Sequence, residues 1–206
     1  MALNGRKAQA ARNDEIIVAA AREVFIADPS APIAAVADHA GVGISALYRR
    51  YPSKDDLLRK LCFDGLMTHI ETLEAALSDD SDAWTVFETF MRRVVEKDTH
   101  SITIALAGKF TPSQELYDAA GRAGRLGAEL MDRTRQAGAI RADFSDADLG
   151  AVFEQMAAIH IGDEERTSAL RQRYLTLVLD GLRTATTPLP STPPTLEERA
   201  QRWVVS

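Results

Sequence analysis

At 206 residues, 46% of them apolar and 26% charged, the chain has an ordinary globular composition, with length enough for a small module and a larger domain. No stretch approaches the ~18 uninterrupted apolar residues of a membrane span, residues 1–12 lack the apolar centre of a secretory signal, and a lone cysteine, Cys62, excludes an internal disulfide. The net charge of −6 hides a split: residues 1–60 carry nine Lys/Arg against seven Asp/Glu, the remainder fifteen against twenty-three, so an acidic body follows a slightly basic head.

Helical periodicity runs throughout, without convincing strand alternation. Asn13 or Asp14 is placed to cap a first helix to about Ala27, with Ile16, Ile17, Ala20, Val24 and Phe25 on its apolar face. Asp28-Pro29-Ser30-Ala31-Pro32 stops it. Pro32 suits the first position of a second helix, where its missing N–H costs nothing. That helix ends near Ala40, and Gly41 supplies a sharp turn. A third helix covers about 44–51 and is ended by Pro52. Ser53 caps a long fourth helix to about Leu77, whose Asp55 and Asp56 favour the helix dipole. Cys62 falls in its apolar register with Leu57, Leu58 and Leu61, which predicts a buried structural thiol in a reducing, cytoplasmic setting.

Asp82 can cap a helix over about 83–97 with Phe87, Phe90, Met91, Val94 and Val95 as its apolar stripe. A short helix over about 102–107 ends at Gly108, and Pro112-Ser113 opens another that reaches about Ala137 before Gly138. Ser145 or Asp146 caps the next, through about His160. A last amphipathic helix spans about 163–183 and carries Leu170, Tyr174, Leu177, Val178 and Leu182. The Pro-, Thr- and Ser-rich 184–206 is expected to be extended and mobile, with a helical turn or two over 197–205. The pattern predicts an all-α protein of about nine helices: a three-helix helix-turn-helix head (1–52), a larger helical domain (53–185) and a Pro-rich tail (186–206).

The run from Val36 to Lys54 reads as two short helices joined by a glycine turn, followed by the start of a third carrying a lysine. Val36, Ala40, Val42 and Leu47 are spaced to hold the two helices together, which leaves Gly43, Ile44, Ser45 and Ala46 at the exposed start of the second. That is where a recognition helix meets base edges in the major groove. Ser45 can hydrogen-bond a base or phosphate, whereas Ile44 and Ala46 offer apolar contact, for example to thymine methyls. Arg49 and Arg50 can each reach phosphate or guanine.

With Ile16–Phe25 as the first helix, Ala40-Gly41-Val42 at the turn, and Leu47-Tyr48-Arg49-Arg50-Tyr51-Pro52-Ser53-Lys54 leading into Asp55-Asp56-Leu57-Leu58, residues 12–60 resemble the DNA-binding domain of the TetR family of transcriptional regulators. The resemblance implies that Tyr48 binds a phosphate through its hydroxyl and that Lys54 binds another, helped by the helix N-terminus. It also implies a homodimer reading a pseudo-palindromic operator in double-stranded DNA, and a small-molecule effector bound between the middle helices of the body. Candidate effector contacts are Met67, Ile70, Phe87, Met91, Val94, His100, Phe110, Phe153 and Met156, with plain core packing as the alternative for each. Leu149, Val152, Phe153, Met156, Leu170, Tyr174, Leu177, Val178 and Leu182 offer faces for a four-helix dimer interface, or close the monomer's own core. Two departures stand out. Gly43 replaces the usual serine cap, at a cost of a few tenths of a kcal/mol. The second helix opens Pro32-Ile33-Ala34-Ala35 without the usual phosphate-touching groups, for which Arg6, Lys7 and Arg12 on the leading arm are placed to compensate.

No catalytic constellation accompanies these features. His39, His69, His100 and His160 are scattered, and His160 to Glu165 matches no closed metal site. Gly121-Arg122-Ala123-Gly124 lacks the preceding strand of a phosphate loop. The expectation is a DNA-binding regulator, a repressor released by its ligand, with no enzymatic activity, cofactor or metal. The alternative is a small-molecule or protein-interaction module that has kept the head and lost specific DNA binding.

Overall fold

The computed structural model describes residues 2–183, 187–195, 197–198 and 201, with side chains from residue 12 onward. Among them nine α-helices follow one another and no strand occurs: α1 (Ala2–Ala27), α2 (Ile33–Ala40), α3 (Ile44–Arg50), α4 (Lys54–Leu77), α5 (Ala83–Glu96), α6 (Ser101–Ala105), α7 (Gln114–Gln136), α8 (Asp146–Ala157) and α9 (Glu164–Arg183).

Local chemistry explains most of these boundaries. The Ser53, Asp82, Ser113 and Ser145 side chains each accept a backbone N–H from the first turn of the helix they precede, and Ser53 and Ser145 complete reciprocal capping boxes with Asp56 and Asp148. Two expectations need correction. First, α1 starts at Ala2, eleven or more residues before the expected Asn13/Asp14 cap: residues 2–12 include Ala2, Ala8, Ala10 and Ala11 with Arg, Lys and Gln, all strong helix formers. Second, α8 stops at Ala157, where the Arg171 guanidinium takes over the Ala157 and Ile159 carbonyls, so the chain through His160 is loop. Pro32 lies one position earlier than expected, as the cap of α2.

Two apolar cores result. The smaller gathers Ile17, Ala21 and Phe25 of α1, Val36 of α2 and Leu47 of α3, then extends past Pro52 to Leu57, Leu58 and Leu61 of α4, Ile102 and Leu106 of the α6 region and Leu116 of α7. The larger fills the space between α4, α5, α7, α8 and α9. Phe63 and Leu66 of α4 pack against both. Ile16, expected on the apolar face of α1, is instead 49% exposed. At Gly65 a Cβ would meet the Thr99 carbonyl at 3.3 Å, so the missing side chain lets α4 approach the α5–α6 connection closely. The described tail to residue 195 has no helix but is fastened: Arg141 donates to the Thr187 carbonyl (2.6 Å) and the Leu189 N–H to Asp143 (2.9 Å). Of the expected turn over 197–205, residues 197–198 are helical and 201 is in a 3₁₀ turn; the others lie outside the described residues.

Candidate nucleic-acid interface

The turn between α2 and α3 is built by Gly41, which adopts φ 64° and ψ 30°, a left-handed conformation that any side chain would strain. Its N–H returns to the Asp38 carbonyl and that of Val42 to Ala37, closing α2. Gly43 then presents an extended backbone whose carbonyl accepts from Ala46 and Leu47, starting α3 without a side-chain cap. Leu47 is fully buried against Val36, and that contact fixes which face of α3 points away. Gly43, Ile44, Ser45, Tyr48, Arg49 and Arg50 are exposed and Ala46 is half-buried.

Two of the expected phosphate or base ligands are engaged within the head. Arg50 forms a two-pronged ion pair with Asp14 of α1 (2.7 and 2.9 Å), and the Tyr51 hydroxyl donates to the same carboxylate (2.7 Å). The Arg50 hydrogen bond, seconded by Tyr51, holds Asp14 below the usual carboxylate range. Burial first, then the bond to Asp14, pushes the Tyr51 phenol up. Lys54 turns back toward the α1–α2 connection, donating to the carbonyls of Ala31 (2.7 Å) and Pro29 (3.3 Å) with its ammonium 5.0 Å from the Phe25 ring centroid. The α4 N-terminus beside it is occupied by the Ser53–Asp56 capping box. The side chains of Tyr48 and Arg49 make no hydrogen bond or ion pair among the described residues. The side chains of Arg6 and Lys7 lie outside the described set.

The candidate effector contacts scatter. Ile70, Phe87, Met91, Val94, Phe153 and Met156 are buried in the larger core, with half-buried Met67 packed against it, while Phe110 belongs to the smaller core. Val94, His100, Phe153 and Met156 line a cavity of about 10 Å³, room for one water at most. A larger cavity of about 250 Å³ lies between α4, α6 and α7 and is lined by none of the nine. Among the described residues no group of three His, Cys, Asp or Glu side chains could hold a metal.

Sequence reasoning also missed a chain of charged groups joining the head to α9. Arg22 of α1 donates to the carboxylate (2.8 Å) and the carbonyl of Asp98. The other carboxylate oxygen of Asp98 faces Arg171 of α9 at 3.1 Å and accepts from Ser101. Asp98 holds a left-handed φ of 46°, and Arg171 is only 6% exposed. These partners lie too far apart in sequence for any periodicity to announce them.

Near this network, His69 packs edge-on against His100 (5.0 Å between centroids) and beside Phe90 and Phe153, and its Nδ1 is buried with no hydrogen-bond partner among the described residues. Burial pushes the imidazole from 6.5 down to about 4. The unfolded chain therefore takes up a proton near pH 6.5 that the folded chain refuses until about pH 4. The contribution of His69 to stability is fully present above pH 6.5 and falls by about 3 kcal/mol as pH drops through that window. His69→Leu should flatten that part of the profile, read from urea midpoints at pH 7.5 and 5.

Residues 17–61 match the bacterial regulatory proteins of the tetR family, and residues 82–184, half of the chain, match the C-terminal domain of SbtR-like transcriptional regulators. The comparison with curated proteins yields no match. Among solved structures, the TetR regulator SCO0520 of Streptomyces coelicolor is 25% identical, with 84% of this chain and 99% of that one covered and a TM-score of 0.57. The TetR regulatory protein of Mycobacterium vanbaalenii is 24% identical (86% and 99% covered, TM-score 0.57), and LfrR of Mycobacterium smegmatis, solved in complex with proflavine, is 22% identical (87% and 99%, TM-score 0.61). With residues of both the head and the body matched, the chain belongs to the TetR family of transcriptional regulators.

Proposed function

We propose that this regulator is a homodimeric repressor that leaves its operator when a small molecule binds the body. The observation that carries the reading is the exposed N-terminal turn of α3, presented by a head in which Arg50, Tyr51 and Lys54 are engaged internally. Gly43, Ile44, Ser45 and Ala46 are proposed to meet base edges, with Tyr48 and Arg49 on phosphate. Arg50 and Lys54, engaged with Asp14 and with the α1–α2 turn, are proposed as braces that set the angle of α3. Selection of bound sequences from random DNA tests the reading. Specific, salt-dependent binding is the expected result, and uniformly weak binding would favour the alternative of a head without an operator. Arg49→Ala should weaken binding across sequences and reduce the salt slope by about one. Lys54→Ala should lower the melting temperature and leave that slope unchanged.

The dimer is proposed to form across α9. Leu149, Val152, Phe153, Met156, Leu170 and Leu182 are buried in the chain's own core and half-buried Val178 packs against it, which leaves Tyr174 and Leu177, the latter 64% exposed, as apolar groups on the outer face. Two recognition helices can then read half-sites at a fixed separation. Leu177→Glu should convert a dimer to a monomer at micromolar concentration, as read by sedimentation velocity.

LfrR, solved with proflavine, supports effector control in this chain. The effector must bind one conformation better than the other, since equal affinity shifts nothing. No helix among the described residues is long and apolar enough to cross a membrane, and the proposed place of action is the cytoplasm, beside the DNA.

A further inference from the structure

We infer that α9 pairs antiparallel with α9 of a second copy about a two-fold axis at Leu177, and that Arg173 and Asp180 select that partner. The inference rests on the α9 dimer proposed above and deepens it, giving the interface a register and a pair of charges that recognise the same chain.

Along the middle of α9, Leu175, Leu179 and Leu182 turn inward and are buried, while Arg173, Tyr174, Leu177, Asp180 and Gly181 are exposed. At 3.6 residues per turn, Arg173 and Asp180 project about 40° and 60° to one side of Leu177. Tyr174 and Gly181 project about 60° and 40° to the other. One edge of the face therefore carries two opposite charges, and the other an aromatic ring and a glycine. Arg173 and Tyr174 lie roughly one turn before Leu177, and Asp180 and Gly181 roughly one turn after.

That layout decides how two copies meet. A two-fold axis at Leu177, set across the helix direction, reverses the order of the partner's residues and keeps each edge on its own side. Arg173 then stands level with the partner's Asp180 to within about 1.5 Å along the helix, and Tyr174 with the partner's Gly181, each contact occurring twice. The guanidinium donates to the carboxylate at the rim, Leu177 meets its own copy at the centre, and the Tyr174 ring covers bare backbone. A Cβ at Gly181 would meet nothing within 4 Å, so the chain itself leaves that space open. A parallel pairing exchanges the edges. Arg173 would then face the partner's Tyr174 and Asp180 the partner's Gly181, leaving both carboxylates without a cation.

The charges on the chain fit the antiparallel register. Arg173 makes no hydrogen bond or ion pair among the described residues. Arg166, the nearest basic residue on the same stripe, falls opposite a point beyond Arg183, the end of the partner's α9. Exposed ion pairs add little to affinity, whereas like charges set in the same places are repelled. Arg173 and Asp180 thus act on the choice of partner more than on the strength of the dimer, for which Leu177 and Tyr174 supply the apolar centre.

The test is a charge-exchange cycle on the full-length protein, with dissociation constants read by sedimentation velocity at about 50 mM NaCl. Arg173→Glu sets carboxylate against carboxylate at both contacts, and Asp180→Arg sets guanidinium against guanidinium. Each variant alone should dimerise roughly tenfold or more weakly than wild type, and the deficit should shrink at about 0.5 M NaCl. Mixed in equal amounts, the two variants bring an acidic edge to a basic one and should regain wild-type affinity as a heterodimer. The double variant should regain it as a homodimer. Recovery in the mixture also shows that neither variant has misfolded. Single variants that dimerise like wild type, or a mixture that stays as weak as its components, overturn the pairing. A wild-type chain that is monomeric at micromolar concentration overturns the dimer reading beneath it.

Discussion

Asp98→Ala should destabilise the protein by about 3 kcal/mol, which for a chain of this size lowers the melting temperature by roughly 6–12 °C. The figure follows from what the carboxylate holds. Arg171 is buried and loses its only anionic partner among the described residues, while Arg22 loses the ion pair that ties α1 to the body. The cost stays at the low end for a buried pair because Asp98 is itself 26% exposed, and Arg171 keeps the carbonyls of Ala157 and Ile159. Backbone geometry supplies an internal control. At a φ of 46° alanine is strained by about 1–2 kcal/mol where glycine is not, so Asp98→Gly should lose less than Asp98→Ala. Urea denaturation of the two variants measures the difference. A loss below about 1 kcal/mol in both would mean that the two arginines are held by their other contacts.

Phe25→Ala is expected to cost about 3–5 kcal/mol and to abolish DNA binding at physiological temperature. Phe25 is fully buried at the centre of the head, and its ring also lies under the Lys54 ammonium. The substitution thus opens a void in the smaller core and loosens the brace at the start of α4. Phe25→Leu restores most of the volume and should cost less than about 1.5 kcal/mol, but it cannot restore the ring face. Operator affinity measured well below the melting temperature separates the two contributions. If Leu restores stability and not affinity, the Lys54–Phe25 contact shapes the DNA-facing surface. If it restores both, volume alone matters.

What could be read from the chain follows from the distance over which each feature is determined. Caps and breakers act within three or four residues, so Ser53, Asp82, Ser113, Ser145 and the Gly41 turn were legible. Asp14 shows where that reasoning runs out. It has the right chemistry for a cap, yet its carboxylate is taken by Arg50, thirty-six positions away, and the helix runs straight through it. Arg22, Asp98 and Arg171 were invisible for the same reason, because an ion pair across elements leaves no period in the sequence. The candidate effector contacts were chosen as large apolar groups at helical spacing. That criterion selects side chains that fill space, such as Phe87 and Met91, whereas the walls of the larger cavity mix Leu66, Leu116 and Tyr117 with the small Cys62, Thr103 and Ala120. A void is defined by what fails to reach its centre, and no single sequence announces it.

The way α3 is anchored bears on how such a chain changes over evolutionary time. Its one buried residue is Leu47, and apart from Arg50, which is paired with Asp14, the outward-facing positions of the helix can be exchanged at a stability cost of no more than about half a kcal/mol each. Operator preference is thereby uncoupled from foldability. A duplicated gene could drift to a new DNA sequence through viable intermediates while keeping the same body and the same ligand.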